Sequence, residues 1–259
     1  MTALLEVEKL SLAFGGLKAV TDFSLSLFPG NLQGLIGPNG AGKTTVFNLL
    51  TGVYRPDSGT IRLCEQVVNG LRPYQIARTG MARTFQNIRL FGELSVLDNV
   101  RVGCHLRTTE TMLSTFLRSP RHLGEERAIL ERSMRLLDIF GLAKRRDDQA
   151  KHLPYGDQRR LEIARAVATD PKVLLLDEPA AGMNTQEKRA LRDLIDFVRK
   201  EFSLSVLLIE HDMGLVMQVC ESITVLDHGV TIARGTPAEI QADPAVIEAY
   251  LGEPVKEAG

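Results

Sequence analysis

Gly37-Pro38-Asn39-Gly40-Ala41-Gly42-Lys43-Thr44 decides the fold of this 259-residue chain. It matches G-x-x-x-x-G-K-[ST]. The glycines let the backbone turn tightly, so that successive N–H groups point inward at phosphate oxygens. Lys43 then reaches the β- and γ-phosphates, Thr44 holds Mg²⁺, and the helix that follows aims its positive end at the anion. Chance supplies this pattern in on the order of one chain in a hundred, given average glycine usage. Here it also follows the apolar run Leu32–Ile36 and opens a helical stretch from Lys43 through Thr44 and Thr45. The first expectation is therefore a nucleotide triphosphate site.

Working outward, Leu174-Leu175-Leu176-Asp177-Glu178 supplies the partner motif. An Asp ending a buried strand beside such a cradle helps hold Mg²⁺, which assigns Asp177. Glu178 then faces the γ-phosphate and polarises an attacking water. Around these motifs, Leu4 to Phe28 alternates polar and apolar residues and reads as antiparallel strands with a turn at Gly15-Gly16. From about Ile88 to Ala150 the strand signal disappears. Ser95 marks a helix start, and Glu125 to Phe140 carries Ile129, Leu130, Met134, Leu137 and Phe140 at helical spacing, stopping at Gly141. After Leu153 the pattern alternates again: a helix from about Gln158 to Thr169, strand Val173–Leu176, a helix from about Thr185 to Glu201, strand Ser205–Ile209, a further helix, and strands around Ile223–Leu226 and Thr231–Ala233. Continuous apolar strands alternating with helices indicate a mostly parallel sheet covered on both faces.

Composition narrows the class. Hydrophobic residues make up 44% and charged residues 24% of the chain, which excludes disordered, collagen-like and coiled-coil chains. Lys and Arg number 31 against 32 Asp and Glu, so no basic surplus points to nucleic acid. The three cysteines, Cys64, Cys104 and Cys220, form no CxxC pair and read as reduced thiols of a cytosolic protein. The acidic amino terminus lacks a signal-peptide pattern, and the longest apolar runs fall far short of the ~20 residues that span a bilayer. The expectation is a chain that neither leaves the cytoplasm nor crosses a membrane.

Taken together, the motifs resemble the ATP-binding subunits of ABC transporters over essentially the whole chain. The resemblance implies a single ABC ATPase domain over 1–259, an α/β P-loop NTPase fold with a mostly parallel sheet and an N-terminal antiparallel β subdomain. Residues 1–87 and 155–259 would form the nucleotide-binding core and 88–154 a helical insertion. It further implies that Phe14 stacks on adenine, with Val20 lining the same pocket. Gln86, in Thr84-Phe85-Gln86-Asn87, would contact Mg²⁺ and the attacking water. His211, in Ile209-Glu210-His211-Asp212, would contact the γ-phosphate. Ala181-Gly182-Met183-Asn184 corresponds to the D-loop, with Asn184 where Asp is commoner.

One motif departs from the family pattern. Where Leu-Ser-Gly-Gly-Gln is usual, this chain reads Leu153-Pro154-Tyr155-Gly156-Asp157. In the family this segment binds the γ-phosphate held by the opposite subunit. Pro154 has neither hydroxyl nor amide hydrogen, so one contact in trans is missing or replaced; Gly156 is retained, and a helix start at Gln158 would still offer free amides. The variant signature, the Glu178-Pro-Ala-Ala-Gly and Glu210-His-Asp-Met segments, the tail from Gly235 to Gly252, and the insertion with Phe116-Leu-Arg-Ser-Pro120 are similar to the branch serving branched-chain amino-acid uptake. Within it the chain resembles the larger of two ATPases; urea and short-amide importers and the lipopolysaccharide exporter's ATPase are near relatives.

The implied partners are a second ABC ATPase (a different chain, or a second copy in isolation), two integral-membrane permeases and, indirectly, a periplasmic solute-binding protein. No nucleic acid is expected, and the implied location is the cytoplasmic face of a bacterial inner membrane. Two competing classes make different demands. Translation or repair ABC ATPases carry a second cassette or long coiled coils. A nucleotide kinase needs a mobile basic lid, for which Arg118, Arg121, Arg145 and Arg146 are the available residues.

Overall fold

The computed structural model describes residues 2–107 and 120–251. Phe116 to Ser119, including Arg118, and Gly252 lie outside the described residues, as does the side chain of Arg121. The chain divides into two compact units, Met1–Met81 with Lys172–Gly259, and Ala82–Pro171.

In the first unit, Leu5–Phe14 (β1) and Leu17–Leu27 (β2) pair antiparallel around Gly15-Gly16, and Ser58–Leu63 (β4) and Gln66–Val67 (β5) extend the sheet in the order β2-β1-β4-β5. The alternation read in the sequence buries Leu5, Val7, Leu25 and Leu27 on one face.

The second sheet uses the continuous apolar runs. Leu32–Ile36 (β3), Val173–Asp177 (β7) and Ser205–Ile209 (β8) are buried at every position, as strands covered on both faces must be. β3 pairs parallel with β8 and with Ser222–Asp227 (β9), β7 pairs parallel with β8, and Val230–Gly235 (β10) closes one edge antiparallel. Met81–Arg83 (β6) carries the chain from the first unit into the second. Register fixes the site: Leu35 and Asp177 both lie opposite Ile209. The loops beginning at Gly37, Glu178 and Glu210 therefore leave the sheet at one level of its carboxyl edge, where open α/β sheets bind ligands.

The second unit is built on helices Val96–Cys104, Pro120–Ile139 and Tyr155–Ala168. The expected helical region 88–154 lies inside this unit, which also takes in 82–87 and 155–171. Ser95 caps the first helix by accepting the Asp98 N–H at 3.0 Å. In the second, Leu130 is 42% exposed, and Ser133 and Leu136 hold inward positions beside Ile129, Leu137 and Phe140. The third begins at Tyr155, not near Gln158, because Pro154 sits at the N-cap with φ −54° and the Gln158 amide already donates to the Pro154 carbonyl.

That third helix carries a buried ion pair that periodicity does not reveal. Arg159 and Glu162 are 0% and 1% exposed, with Nη1 to Oε2 at 2.8 Å. Arg159 also donates to the carbonyls of Phe85 (2.7 Å) and Gln86 (2.9 Å), while Glu162 Oε1 accepts from the amides of Phe85 and Arg89. Two side chains one helical turn apart thus hold the backbone of the segment around Gln86. Among the described residues no helix is long and apolar enough to cross a membrane. Glu162→Leu should lower the unfolding free energy by about 3–5 kcal/mol, because it strands a buried guanidinium. Adding Arg159→Met should recover part of that loss in chemical denaturation; a single-variant loss under about 1 kcal/mol would contradict the pair's structural role.

Candidate functional site

The phosphate loop owes its shape to close packing behind it. Gly37 adopts φ +150°, and a Cβ there would lie 2.0 Å from the Leu226 carbonyl of β9. Gly42 adopts φ +101°, and its Cβ would meet the Ala19 carbonyl of β2 at 2.7 Å. No other residue fits either position. Gly229, at the β9–β10 turn, donates its amide to the Ala41 carbonyl at 3.0 Å and accepts the Thr21 amide at 2.8 Å, pinning the loop from outside. Val20 is a core residue, 1% exposed, with its side chain beside Gly42.

Helix Lys43–Leu50 begins at Gly42 with no side-chain cap and no acidic residue in its first turn. The amides of Lys43, Thr44 and Thr45 occupy the positions that have no intrahelical acceptor, the arrangement that suits an anion. Lys43 is 6% exposed, and its Nζ donates to the carbonyls of Gly37 (2.6 Å) and Pro38 (2.8 Å). Burial holds the Lys43 ammonium below the ordinary lysine range, while the charges of Glu178 and Asp177 pull it back up. Both carboxylates thus act on the cation from the end of β7. Pro38, Asn39, Gly40 and Ala41 line a cavity with residues of the β9–β10 turn and of helix Pro244–Leu251. From the same helix Tyr250 approaches the loop: burial pushes its phenol up, and the Gly37 amide offsets part of that.

Asp177 is 3% exposed at the end of β7. Glu178 follows in a left-handed conformation, φ +45°, with its amide donating to the Ile209 carbonyl at 2.9 Å. Its Oε2 lies 3.6 Å from Nδ1 of His211, which is 56% exposed. The structure therefore brings Lys43, Asp177, Glu178 and His211 together. Asn184 has a separate, visible task. It caps helix Thr185–Glu201, its Oδ1 accepting the Glu187 amide at 3.0 Å while its own amide donates to Glu187 Oε2 at 2.9 Å. Asn and Asp cap equally well, which accounts for Asn at a position where Asp is commoner.

Phe14 ends β1 half-exposed and meets Tyr54 edge to face, ring centroids 5.3 Å apart at 76°. The sequence reading missed Tyr54, which lies in a turn with no periodic pattern and meets Phe14 only through the fold. Gln86, Pro154, Tyr155, Gly156 and Asp157 belong to the second unit. There the Tyr155 hydroxyl accepts from Arg159 at 3.3 Å, and Asp157 lies within 4 Å of both Arg145 and Arg160. The helix start lies at Tyr155 rather than at Gln158, whose amide is already used within the helix. Arg145 is held in that ion pair, and helix Pro120–Ile139 occupies part of the stretch a kinase lid would need.

With this geometry in hand, comparison with known proteins is direct. The profile of the ABC transporter family matches residues 20–181, and that of the branched-chain amino acid ATP-binding cassette transporter matches 230–256. The high-affinity branched-chain amino acid transport ATP-binding protein LivG of Escherichia coli K12 is 48% identical over 96% of this chain and 98% of its own. BraF of Pseudomonas aeruginosa, of the same description, is 46% identical over the same shares. The ADP conformation of MJ1267, an ATP-binding cassette of an ABC transporter, superposes with a TM-score of 0.83 at 27% identity, covering 98% of this chain and 100% of that one. The chain belongs to the ABC transporter family, as one of its nucleotide-binding ATPases.

Proposed function

We propose that this chain powers an importer of branched-chain amino acids by binding and hydrolysing ATP at the carboxyl edge of its parallel sheet. The observation that carries the reading is the convergence of Lys43, Asp177, Glu178 and His211 on one phosphate loop. The substrate class draws support from the relatives' names and from the match over 230–256.

In this reading the amides from Gly40 to Thr45 and the Lys43 ammonium bind the triphosphate and neutralise charge developing on its β- and γ-oxygens. Phe14, braced by Tyr54, offers a face for adenine. The Thr44 hydroxyl and the buried Asp177 carboxylate would supply oxygen donors alone, which suits Mg²⁺, a hard cation. When bound, the ion would neutralise phosphate charge. Glu178 accepts the proton of the attacking water, and His211 orients Glu178 and senses the γ-phosphate. For Gln86 the role rests on the Thr84-Phe85-Gln86-Asn87 match alone.

Pro154, Tyr155, Gly156 and Asp157 present their helix start to the ATP of a second ABC ATPase, so each site needs two subunits. ATP then favours the closed pair only by its differential affinity for that form, and hydrolysis lets it reopen. Two membrane permeases receive the motion, a periplasmic solute-binding protein delivers substrate, and this subunit lies peripherally at the cytoplasmic face.

Glu178→Gln should leave ATP affinity intact, lower kcat on the order of a hundredfold or more, and accumulate the closed pair. Turnover above about a tenth of wild type would remove Glu178 from the role. Lys43→Ala should weaken ATP binding by about ten- to a hundredfold, the worth of one or two charge-assisted bonds. Unchanged affinity by calorimetry would contradict the cradle assignment.

A further inference from the structure

Glu210 buries a carboxyl group that the hydrolysis step does not use. It follows β8, is 1% exposed, and lies between Ile209 and His211. Burial pushes its carboxyl up, and the backbone amides of Ala180, His211 and Asp212 work against that. An apolar residue would avoid the desolvation cost altogether, so packing does not explain a carboxylate here.

Its two oxygens serve two different loops. Oε1 accepts the Ala180 amide at 2.7 Å, two residues after Glu178. Oε2 accepts the amide of His211 at 3.3 Å. A third tie runs the other way, from the Glu178 amide to the Ile209 carbonyl. These bonds surround a strained residue. Glu178, with φ +45°, holds a conformation unfavourable for a non-glycine residue, which persists only where its surroundings over-determine it. The segment Glu178-Pro179-Ala180 is thus fixed at its amino end by β8 and two residues later by Glu210. A second link runs alongside, Lys188 Nζ to Asp212 Oδ2 at 2.6 Å, joining the helix after the D-loop to the residue after His211.

We propose that Glu210 is a positioning residue for hydrolysis: its carboxylate spans the loop after Glu178 and the loop of His211, holding Glu178 in its left-handed conformation and setting the 3.6 Å approach of the two side chains. This rests on the reading of Glu178 as the base. The bonds of Glu210 run to the backbone of Ala180 and His211, so it acts through Glu178. Gln cannot accept at both ends, because its amide nitrogen donates, and Asp is one methylene too short to reach both loops.

The test is a double-mutant cycle on the full chain, reading kcat, KM for MgATP, calorimetric ATP affinity and Tm. Glu210→Gln and Glu210→Asp should each lower kcat on the order of ten- to a hundredfold, as sub-ångström misplacement of a base does. ATP affinity should stay within about twofold of wild type, because the cradle is untouched. In the Glu178→Gln background, Glu210→Gln should cost nothing further. A fall in Tm with kcat per folded molecule unchanged would overturn the proposal, leaving Glu210 as a structural acceptor. An equal loss of kcat in both backgrounds would also overturn it. Failure of the base reading is recognised separately, by turnover persisting in Glu178→Gln alone.

Discussion

The first unit depends on a loop that must turn tightly against the strands behind it. That requirement puts Gly37 and Gly42 in conformations open only to glycine, and the Leu226 and Ala19 carbonyls press so close that a methyl group would collide. The rest of the first unit answers to that constraint. β3 delivers the loop, β9 and β2 back it, and the parallel register of β3, β7 and β8 brings Asp177, Glu178 and His211 to the same edge. Buried strands make this placement rigid, because a one-residue slip would carry charged residues into the core.

The groups at that edge are poised against one another. Lys43 is buried within the field of two carboxylates, Glu178 is strained and lies beside an exposed histidine, and Glu210 buries a carboxyl where an apolar residue would cost less. Such conflicts between local preference and fold concentrate at functional sites. In the second unit, Arg159 and Glu162 hold the backbone of Phe85, Gln86 and Arg89 from a single helix whose first turn is the variant signature. The same helix therefore both opens at Pro154 and fixes the backbone around Gln86.

The parts legible in the sequence were those with a local cause. Continuous apolar runs announced β3, β7 and β8, the alternation from Leu4 announced the β1–β2 hairpin, and the glycine pattern announced the phosphate loop. The helix after Asn184 has the bounds expected, because its cap and apolar face lie within the segment. What escaped depends on contacts between distant segments. Leu130 obeys helical spacing but faces solvent, while Ser133 is buried. Tyr54 matters only through Phe14, forty residues away, and Glu210 only through Ala180. The helix starts at Tyr155 rather than near Gln158 because Pro154 fixes φ at −54° and so takes the N-cap.

A chain that drives a membrane importer should be recoverable from native membranes together with the rest of that importer. The tagged chain would be drawn out in mild detergent and its partners identified by mass spectrometry. Two polytopic permeases and a second ABC ATPase should come out with it, in amounts comparable to the bait. Recovery of ribosomes, DNA-repair proteins or nothing membrane-bound would contradict the importer role, while leaving the ATP site itself untouched.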